Sequence, residues 1–125
     1  MPIIKKIKPF FKDTRGEMSH LIDKNVTINS AVLITCKKGS IRANHYHKKD
    51  IHYCYLLEGK MNYYYKSKEG EKIKKKIVHK GEMVSTPVNE MHAMEFPEDS
   101  VFIALTTEKR SEDEYEEDTV RVKII

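Results

Sequence analysis

The chain has no apolar stretch long enough to span a membrane, which takes about eighteen residues. No window of its 125 residues approaches that length. The N-terminal stretch MPIIKKIKPFFKD also mixes lysines among its short apolar pairs, so it lacks the continuous apolar centre of a secretory signal. We therefore expect a soluble, cytoplasmic protein with no membrane partner.

Cysteine is scarce as well. Cys36 and Cys54 are too few for a disulfide scaffold and lack CxxC spacing, which predicts free thiols in a reducing compartment. The chain also lacks internal repeats, low-complexity tracts and a Pro- or Ser-rich linker. Its 125 residues suit one core and are too few for two ordinary domains, so we expect a single domain over residues 1–125.

Positive charge is in modest excess. Much of the net charge of +4 lies in Lys66–Lys80, a run without interleaved arginines or aromatic residues. Because a turn signal occurs at Glu69–Gly70, we interpret the run as a solvated hairpin whose lysines protect a strand edge. The alternative is a nucleic-acid footprint, but we expect no nucleic-acid partner.

No window shows a long helical period, and the best helical candidate is the short acidic stretch 110–118. The chain instead contains short apolar and β-branched runs at a spacing of about ten residues, separated by turn-forming clusters. These runs are 26–36, 51–57, 61–67, 72–78, 83–88, 92–96 and 101–107. The pattern predicts an all-β sandwich or barrel with at most one short helix.

Three of the six histidines, His45, His47 and His52, fall within eight residues. If 41–47 is a strand, side-chain alternation places Ala43, His45 and His47 on one face. The four residues Lys48–Ile51 have the length of a hairpin connection, which would bring His52 beside the other two histidines.

Side-chain alternation also places His52 and His92 each on the same strand face as apolar residues. The predicted groups are His52 with Cys54 and Leu56, and His92 with Met94 and Phe96. We therefore expect His45, His47, His52 and His92 to converge inside the fold. Imidazole is the commonest metal ligand in proteins, and an all-nitrogen site suits divalent Zn, Fe, Ni or Cu better than Mg or Ca. The alternative is that these are surface or hydrogen-bonded histidines, which is how we interpret His20 and His79.

Two spacings in the chain resemble the motifs of the cupin superfamily. The first motif covers 39–59 and is matched by Gly39, His45, His47, His52 and Gly59, with His52 in the place of the usual glutamate. The second covers 81–96 and is matched by Gly81, Pro87, Asn89 and His92, with Asn89 in the place of a glycine. Asparagine tolerates the positive φ of such a turn. The resemblance implies a cupin-type small β-barrel, or jelly roll, in which His45, His47 and His92 bind a metal and His52 is the fourth ligand.

Shorter patterns are similar to those of nucleotide-sugar cupins. The segment FKDTRGEMSHLI contains a D-x-R-G turn, RANHYHKK is similar to the R-x-x-H-x-H-K pattern of dTDP-4-keto-6-deoxyglucose 3,4-ketoisomerases, and the acidic tail around Tyr115 resembles theirs. The resemblance implies a nucleotide-sugar isomerase or epimerase of polysaccharide or deoxysugar biosynthesis. It makes His45 and His47 the catalytic base and acid, and Arg42 the group that binds the diphosphate or stabilises charge. The alternative for Arg42 is an ordinary surface salt bridge.

Two other functions remain open from the sequence. The ketoisomerases that the chain resembles work without a metal and carry glutamine in the place of His52, whereas four histidines suit a divalent Zn, Fe or Ni cofactor. One alternative is therefore a metal-dependent cupin oxygenase. The other is a non-catalytic cupin that binds a small ligand or a metal.

Both ends of the chain are apolar. The stretch MPIIKKIKPFFK and the C-terminal VRVKII carry more apolar surface than free arms should expose. We therefore expect a homodimer in which the N-terminal segment adds a strand to, or packs against, the second subunit. The alternative is that both ends close the sheet of their own subunit.

Overall fold

The computed structural model describes residues 1–109 and 112–125, without the side chains of residues 112, 114 and 115. Arg110 and Ser111, with which the predicted helix begins, and the side chain of Tyr115 therefore lie outside the described part of the chain. The elements of that part are β1 (Ile3–Lys6), β2 (Phe11–Asp13), β3 (Gly16–Met18), β4 (Ser30–Cys36), β5 (Ile41–His47), β6 (His52–Glu58), β7 (Lys60–Lys66), β8 (Lys74–His79), β9 (Glu82–Thr86), β10 (Met91–Glu95), β11 (Ser100–Thr106), α1 (Glu112–Asp118) and β12 (Thr119–Arg121).

Ten of these strands form two antiparallel five-stranded sheets. The strand order is β1-β9-β6-β11-β4 in the first sheet and β12-β5-β10-β7-β8 in the second, while β2 and β3 form a separate hairpin. One buried cluster combines side chains of both sheets, such as Leu56 of β6 and Tyr63 of β7. This jelly-roll-like arrangement confirms the predicted all-β fold class. The short helix α1 lies within the predicted acidic stretch.

Side chains alternate on β6 and at β10 as predicted. His52, Cys54 and Leu56 are all buried on the inner face of β6. His92 and Met94 of β10 are buried as well, and the buried ring of Phe96 stacks on Phe102 at 5.8 Å between centroids. Both cysteines are buried, and no disulfide joins them, as expected.

The predicted hairpin between β5 and β6 is wrong. β5 pairs with β10 and β12, whereas β6 pairs with β9 and β11 in the other sheet. Lys48–Ile51 therefore crosses between the sheets, and its length alone does not distinguish such a crossing from a hairpin. His47 and His52 still approach each other because each lies on the inner face of its own sheet.

A β-bulge interrupts the alternation of β5. Ala43 and Asn44 have positive φ values of 71° and 56°, and the register of β5 against β10 shifts at this point. One extra residue in a strand reverses which face the preceding side chains occupy. Arg42 is consequently paired with the inward-facing Met94, and both Arg42 and Ala43 line the same cavity as His45.

The lysine-rich run forms the β7–β8 hairpin, with β8 at the edge of its sheet. Gly70 lies in the connecting turn with a φ of 83°. This agrees with the predicted solvated hairpin and lysine-protected edge.

Both ends of the chain pair with their own subunit. β1 is antiparallel to β9, and β12 is antiparallel to β5. Both ends therefore close sheets of their own chain, as in the alternative. Within the described residues, no helix has the length and apolarity that spanning a membrane requires.

Candidate functional site

The four predicted histidines come together between the two sheets. His45 and His47 are on β5, His92 is on the neighbouring β10, and His52 is on β6 of the opposite sheet. The distances between ring centroids are 4.5 Å for His45–His47, 4.8 Å for His45–His92, 4.4 Å for His47–His52, 6.3 Å for His47–His92 and 6.2 Å for His52–His92. All four side chains are buried.

A buried carboxylate holds the imidazole of His52. Asp50 Oδ2 lies 2.7 Å from His52 Nε2, and each residue is 3% exposed. Asp50 Oδ1 accepts hydrogen bonds from the backbone nitrogens of Thr107 and Glu108 at 3.1 and 3.2 Å. Burial by itself raises the pKa of Asp50, but the hydrogen bond and charge of His52 outweigh it and hold that pKa below its usual value. Asp50 is therefore an ionised group whose position is set by several donors.

A second carboxylate lies beside His47. Asp118 Oδ2 is 3.5 Å from His47 Nδ1, and the hydroxyl of Thr119 is 3.4 Å from the same nitrogen. Asp118 also accepts hydrogen bonds from the backbone nitrogens of Lys49 and Asp50 at 2.8 and 3.1 Å. The junction of α1 and β12 thus holds the crossing segment that carries Asp50.

His92 is held by the turn that precedes β10. Its Nδ1 donates to the backbone oxygen of Glu90 at 3.0 Å. Asn89 adopts a φ of 64°, as expected for an asparagine in place of the motif glycine, and its backbone nitrogen donates to His47 O at 2.7 Å. The ring of Tyr63 is stacked on His92 at 5.8 Å and 9°.

A small cavity of about 110 Å³ opens onto three of the histidines. Its polar lining consists of Arg42, His45, His52 and His92, and Ile34, Met94 and Phe102 belong to its apolar lining. Arg42 donates to Cys36 Sγ at 3.2 Å and to Thr35 O at 2.8 Å, so its partners here are a thiol and a carbonyl without charge.

The donor groups of the site fit a transition-metal ion. Potential ligand atoms of His47, Asp50 and His52 all lie within 4.8 Å of one another. Imidazole and carboxylate are suitable ligands for divalent Zn or Fe. This group differs from the predicted four-histidine set, because it contains Asp50 and omits His45 and His92. Asp50 is also the orienting partner of His52, which competes with a role as a ligand.

The histidines of the site were predicted from the sequence, whereas the two carboxylates, Asp50 and Asp118, were not. Asp50 had a local signal, because D-x-H on an extended segment places the two side chains on the same side. Asp118 had none, because it reaches His47 only through the pairing of β12 with β5. His20 and His79 are exposed and lie outside the site, and His20 stacks on Phe10 at 4.1 Å between ring centroids.

Comparisons with known proteins agree with this fold. The family model described as "Cupin domain" matches residues 32–108. A 3,4-ketoisomerase from Helicobacter canadensis superimposes with a TM-score of 0.78 at 18% identity, covering 96% of this chain and 90% of that one. No match to a curated protein sequence was found.

Two further solved structures are similar. The QdtA 3,4-ketoisomerase from Thermoanaerobacterium thermosaccharolyticum, a double mutant in complex with TDP, gives a TM-score of 0.73 at 26% identity and covers 96% of this chain and 86% of its own. A dTDP-4-dehydrorhamnose 3,5-epimerase from Sulfolobus tokodaii superimposes with a TM-score of 0.70 at 17% identity. The match covers 90% of this chain and 73% of the epimerase.

Proposed function

The chain belongs to the cupin domain family, and from this premise we propose that it is a nucleotide-sugar isomerase or epimerase of deoxysugar biosynthesis. The observation that carries the proposal is the buried Asp50–His52 pair, which faces a cavity also lined by His45 and Arg42. An imidazole oriented by a carboxylate is suited to take a proton from a substrate and to return it. The likeness to the QdtA 3,4-ketoisomerase supports this class of reaction.

The chemistry of a keto shift requires two proton transfers at carbon and one between the oxygens. A base removes the proton from the carbon next to the carbonyl, which gives an enediolate, and an acid delivers a proton to the former carbonyl carbon. The hydroxyl proton of the first carbon passes to the former carbonyl oxygen, so the first carbon becomes the carbonyl and the former carbonyl becomes a hydroxyl. The sequence analysis assigned these roles to His45 and His47. Because His45, His52 and His92 line the cavity, we assign direct contact with the sugar to these three, and we give His47 a supporting position between His45 and His52.

Arg42 supplies positive charge at the same cavity. A guanidinium next to a developing enediolate stabilises it, and the same group binds phosphate oxygens through paired N–H donors. A volume of about 110 Å³ is well below the several hundred Å³ of pockets for drug-sized ligands. We therefore propose that only the sugar enters the cavity, while the nucleoside diphosphate lies outside it.

Incubation with dTDP-4-keto-6-deoxyglucose in D₂O tests the proposal. NMR spectra should show a 3-keto product with deuterium at the former carbonyl carbon, and a variant with His52→Asn should lose most of this turnover. His79→Asn, an exposed histidine at the end of β8, is the matched control and should react as the wild type does. Binding of the nucleotide sugar without turnover or exchange would instead support a non-catalytic cupin.

A metal-dependent cupin is the second candidate, and the cluster of His47, Asp50 and His52 favours it. Acceptors for the outer N–H groups of ligand histidines are typical of metal sites, and Glu90 O and Asp118 are placed as such partners of His92 and His47. A bound Zn, Fe or Ni ion would polarise a substrate carbonyl as a Lewis acid. Elemental analysis of the purified protein tests this candidate.

We also propose a homodimer as the functional form. The first sheet offers an outer face that is suited to self-association, because the outward positions of β4 and β11 carry no charged side chain. These outward residues are Ala31, Leu33, Thr35, Val101, Ile103 and Leu105. On β6, Tyr55 extends the face and Glu58, paired with Val101, borders it. In a chain with 34% charged residues, two neighbouring strands without an outward charge favour burial against another surface.

A further inference from the structure

A chain of three buried polar groups lies behind His92. Thr86 Oγ1 is 2.7 Å from the hydroxyl of Tyr63, and that hydroxyl is 3.2 Å from Glu90 Oε2. Tyr63 has no exposed surface, and Thr86 and Glu90 are 2% and 3% exposed. The sequence analysis and the proposed reaction assign none of these groups a role.

The direction of these hydrogen bonds follows from chemistry. Burial raises the pKa of Tyr63 well above its usual value, so the phenol keeps its proton. The phenol donates that proton to the Glu90 carboxylate, and the Thr86 hydroxyl then donates to the phenol oxygen. The tyrosine ring is thereby held at its outer end by groups from β9 and from the turn before β10.

Two contacts connect this chain to His92. The Tyr63 ring lies nearly parallel to the imidazole, with 5.8 Å between centroids and 9° between planes. The backbone oxygen of Glu90 accepts from His92 Nδ1 at 3.0 Å. Because a carbonyl oxygen only accepts, the neutral imidazole carries its proton on Nδ1 and presents Nε2 as an acceptor. Glu90 thus acts on His92 in two ways. Its backbone oxygen accepts from His92 Nδ1, and its carboxylate holds Tyr63, whose ring lies parallel to the His92 imidazole.

We propose that Tyr63 and Glu90 are positioning residues that hold His92 in one ring orientation and in the Nδ1–H tautomer. The inference rests on the proposed function in one respect, since it is in the sugar-binding cavity that His92 Nε2 would act as a base or acceptor. Neither Tyr63 nor the Glu90 carboxylate needs to contact the substrate for this role. The role requires an acceptor oxygen on the Glu90 side chain at the Tyr63 hydroxyl, and it does not require the negative charge of Glu90.

The test compares variants that separate shape from hydrogen bonding. Tyr63→Phe keeps the stacked ring and removes the hydroxyl, and Thr86→Val removes the donor to that hydroxyl at nearly equal volume. Glu90→Gln retains an acceptor oxygen, whereas Glu90→Ala does not. Tyr55→Phe is the matched control, because Tyr55 lies on the outer face of β6.

Long-range ¹H–¹⁵N NMR spectra of the free protein report the tautomer of His92 without any substrate. We expect Nδ1–H alone in the wild type, Tyr55→Phe and Glu90→Gln, and a mixture of tautomers in Tyr63→Phe and Glu90→Ala. With an active wild type, Tyr63→Phe should lower kcat by about tenfold or more with little change in KM, as for other residues that orient a site histidine.

A wild-type His92 that carries its proton on Nε2 would overturn the inference, as would a Tyr63→Phe protein with the wild-type tautomer. If Tyr63→Phe does not fold, the His92 tautomer is measured in Thr86→Val and Glu90→Ala instead. A wild-type tautomer in both of these variants would overturn the inference. A wild type that turns over no nucleotide sugar would overturn the proposed function, yet the tautomer measurement would still decide the positioning of His92.

Discussion

Asp50 and His52 form a buried pair with 2.7 Å between Oδ2 and Nε2, at a point where the chain crosses from one sheet to the other. The aspartate belongs to the crossing segment and the histidine to the first position of β6. Both oxygens of the carboxylate have donors, so its orientation towards the imidazole is well determined. The imidazole of His52 is therefore held in one orientation at the cavity, as the proposed acid/base chemistry requires.

Asp50→Asn should lower the kcat of the proposed isomerisation by roughly 10²–10⁴-fold, the range for loss of a general acid or base. The amide keeps the size of the side chain but removes the charge that stabilises a protonated His52. Steady-state kinetics with the nucleotide sugar measure the effect. Asp113→Asn, on the exposed side of α1, is the control and should leave kcat unchanged. An equal kcat in both variants would contradict the role of Asp50.

The stability contribution of Asp50 should depend on pH. Its pKa is lower in the folded protein than in the unfolded chain, so the folded state favours the ionised form. The contribution is complete above the ordinary value of 3.8 and is lost as the pH falls through the lower, folded value. Urea unfolding of wild type and Asp50→Asn should therefore give a difference in the free energy of unfolding that shrinks below about pH 4. If the difference in the free energy of unfolding instead grows on acidification, the pKa of Asp50 is not lowered in the folded protein.

His47→Ala should remove a bound metal from the protein, if one is present after purification, and should leave the fold intact. Removing one ligand deletes a specific bond but little core packing. Elemental analysis and circular dichroism measure the two effects. Lys74→Ala, on the exposed edge strand β8, should retain the metal and change the free energy of unfolding by less than about 0.5 kcal/mol. Equal metal content in His47→Ala and wild type would exclude His47 as a ligand.

Leu33→Lys should weaken the proposed homodimer. Leu33 is 66% exposed on the outer face of the first sheet, beside the apolar outward residues of β11, and a two-fold interface would place two such lysines on apolar surface. Ile77→Lys is the matched control on β8 of the other sheet, where the side chain is 41% exposed. Sedimentation at micromolar concentration should show dimers for wild type and Ile77→Lys and monomers for Leu33→Lys. A wild-type mass of one chain, 14.7 kDa, would contradict the dimer.

Gly59→Ala should destabilise the protein far more than Gly70→Ala. Both glycines have positive φ, 91° and 83°, so each substitution costs about 1 kcal/mol of backbone strain. A Cβ at Gly59 would also meet Ser100 Oγ and approach Asp99 O to 2.6 Å, whereas a Cβ at Gly70 meets nothing within 4 Å. Thermal unfolding should show a loss of roughly 3 kcal/mol or more at Gly59. Similar losses at both positions would contradict the steric explanation.

The comparison of β5 with β6 shows where the sequence was sufficient. On β6, alternation alone predicted that His52, Cys54 and Leu56 share the inner face, and the structure confirms it. On β5 the same rule would place Arg42 on the face opposite to His45, yet Arg42 pairs with the inward-facing Met94, because the bulge at Ala43 and Asn44 inserts a residue that no composition signal indicated. The two-residue alternation therefore predicts which face of the sheet a side chain occupies only where the strand has no bulge.

Sequence alone determined the all-β class, the inward faces of His52 and His92, and the turn at Asn89, because these depend on the two-residue period of a strand and on the φ preferences of single residues. Tertiary structure alone decided that β5 and β6 belong to opposite sheets. It also decided that Asp118 reaches His47 and that Tyr63 stacks on His92. These contacts depend on which distant strands pair and in which register, and that choice is made by the free energy of the whole core and not by any local pattern.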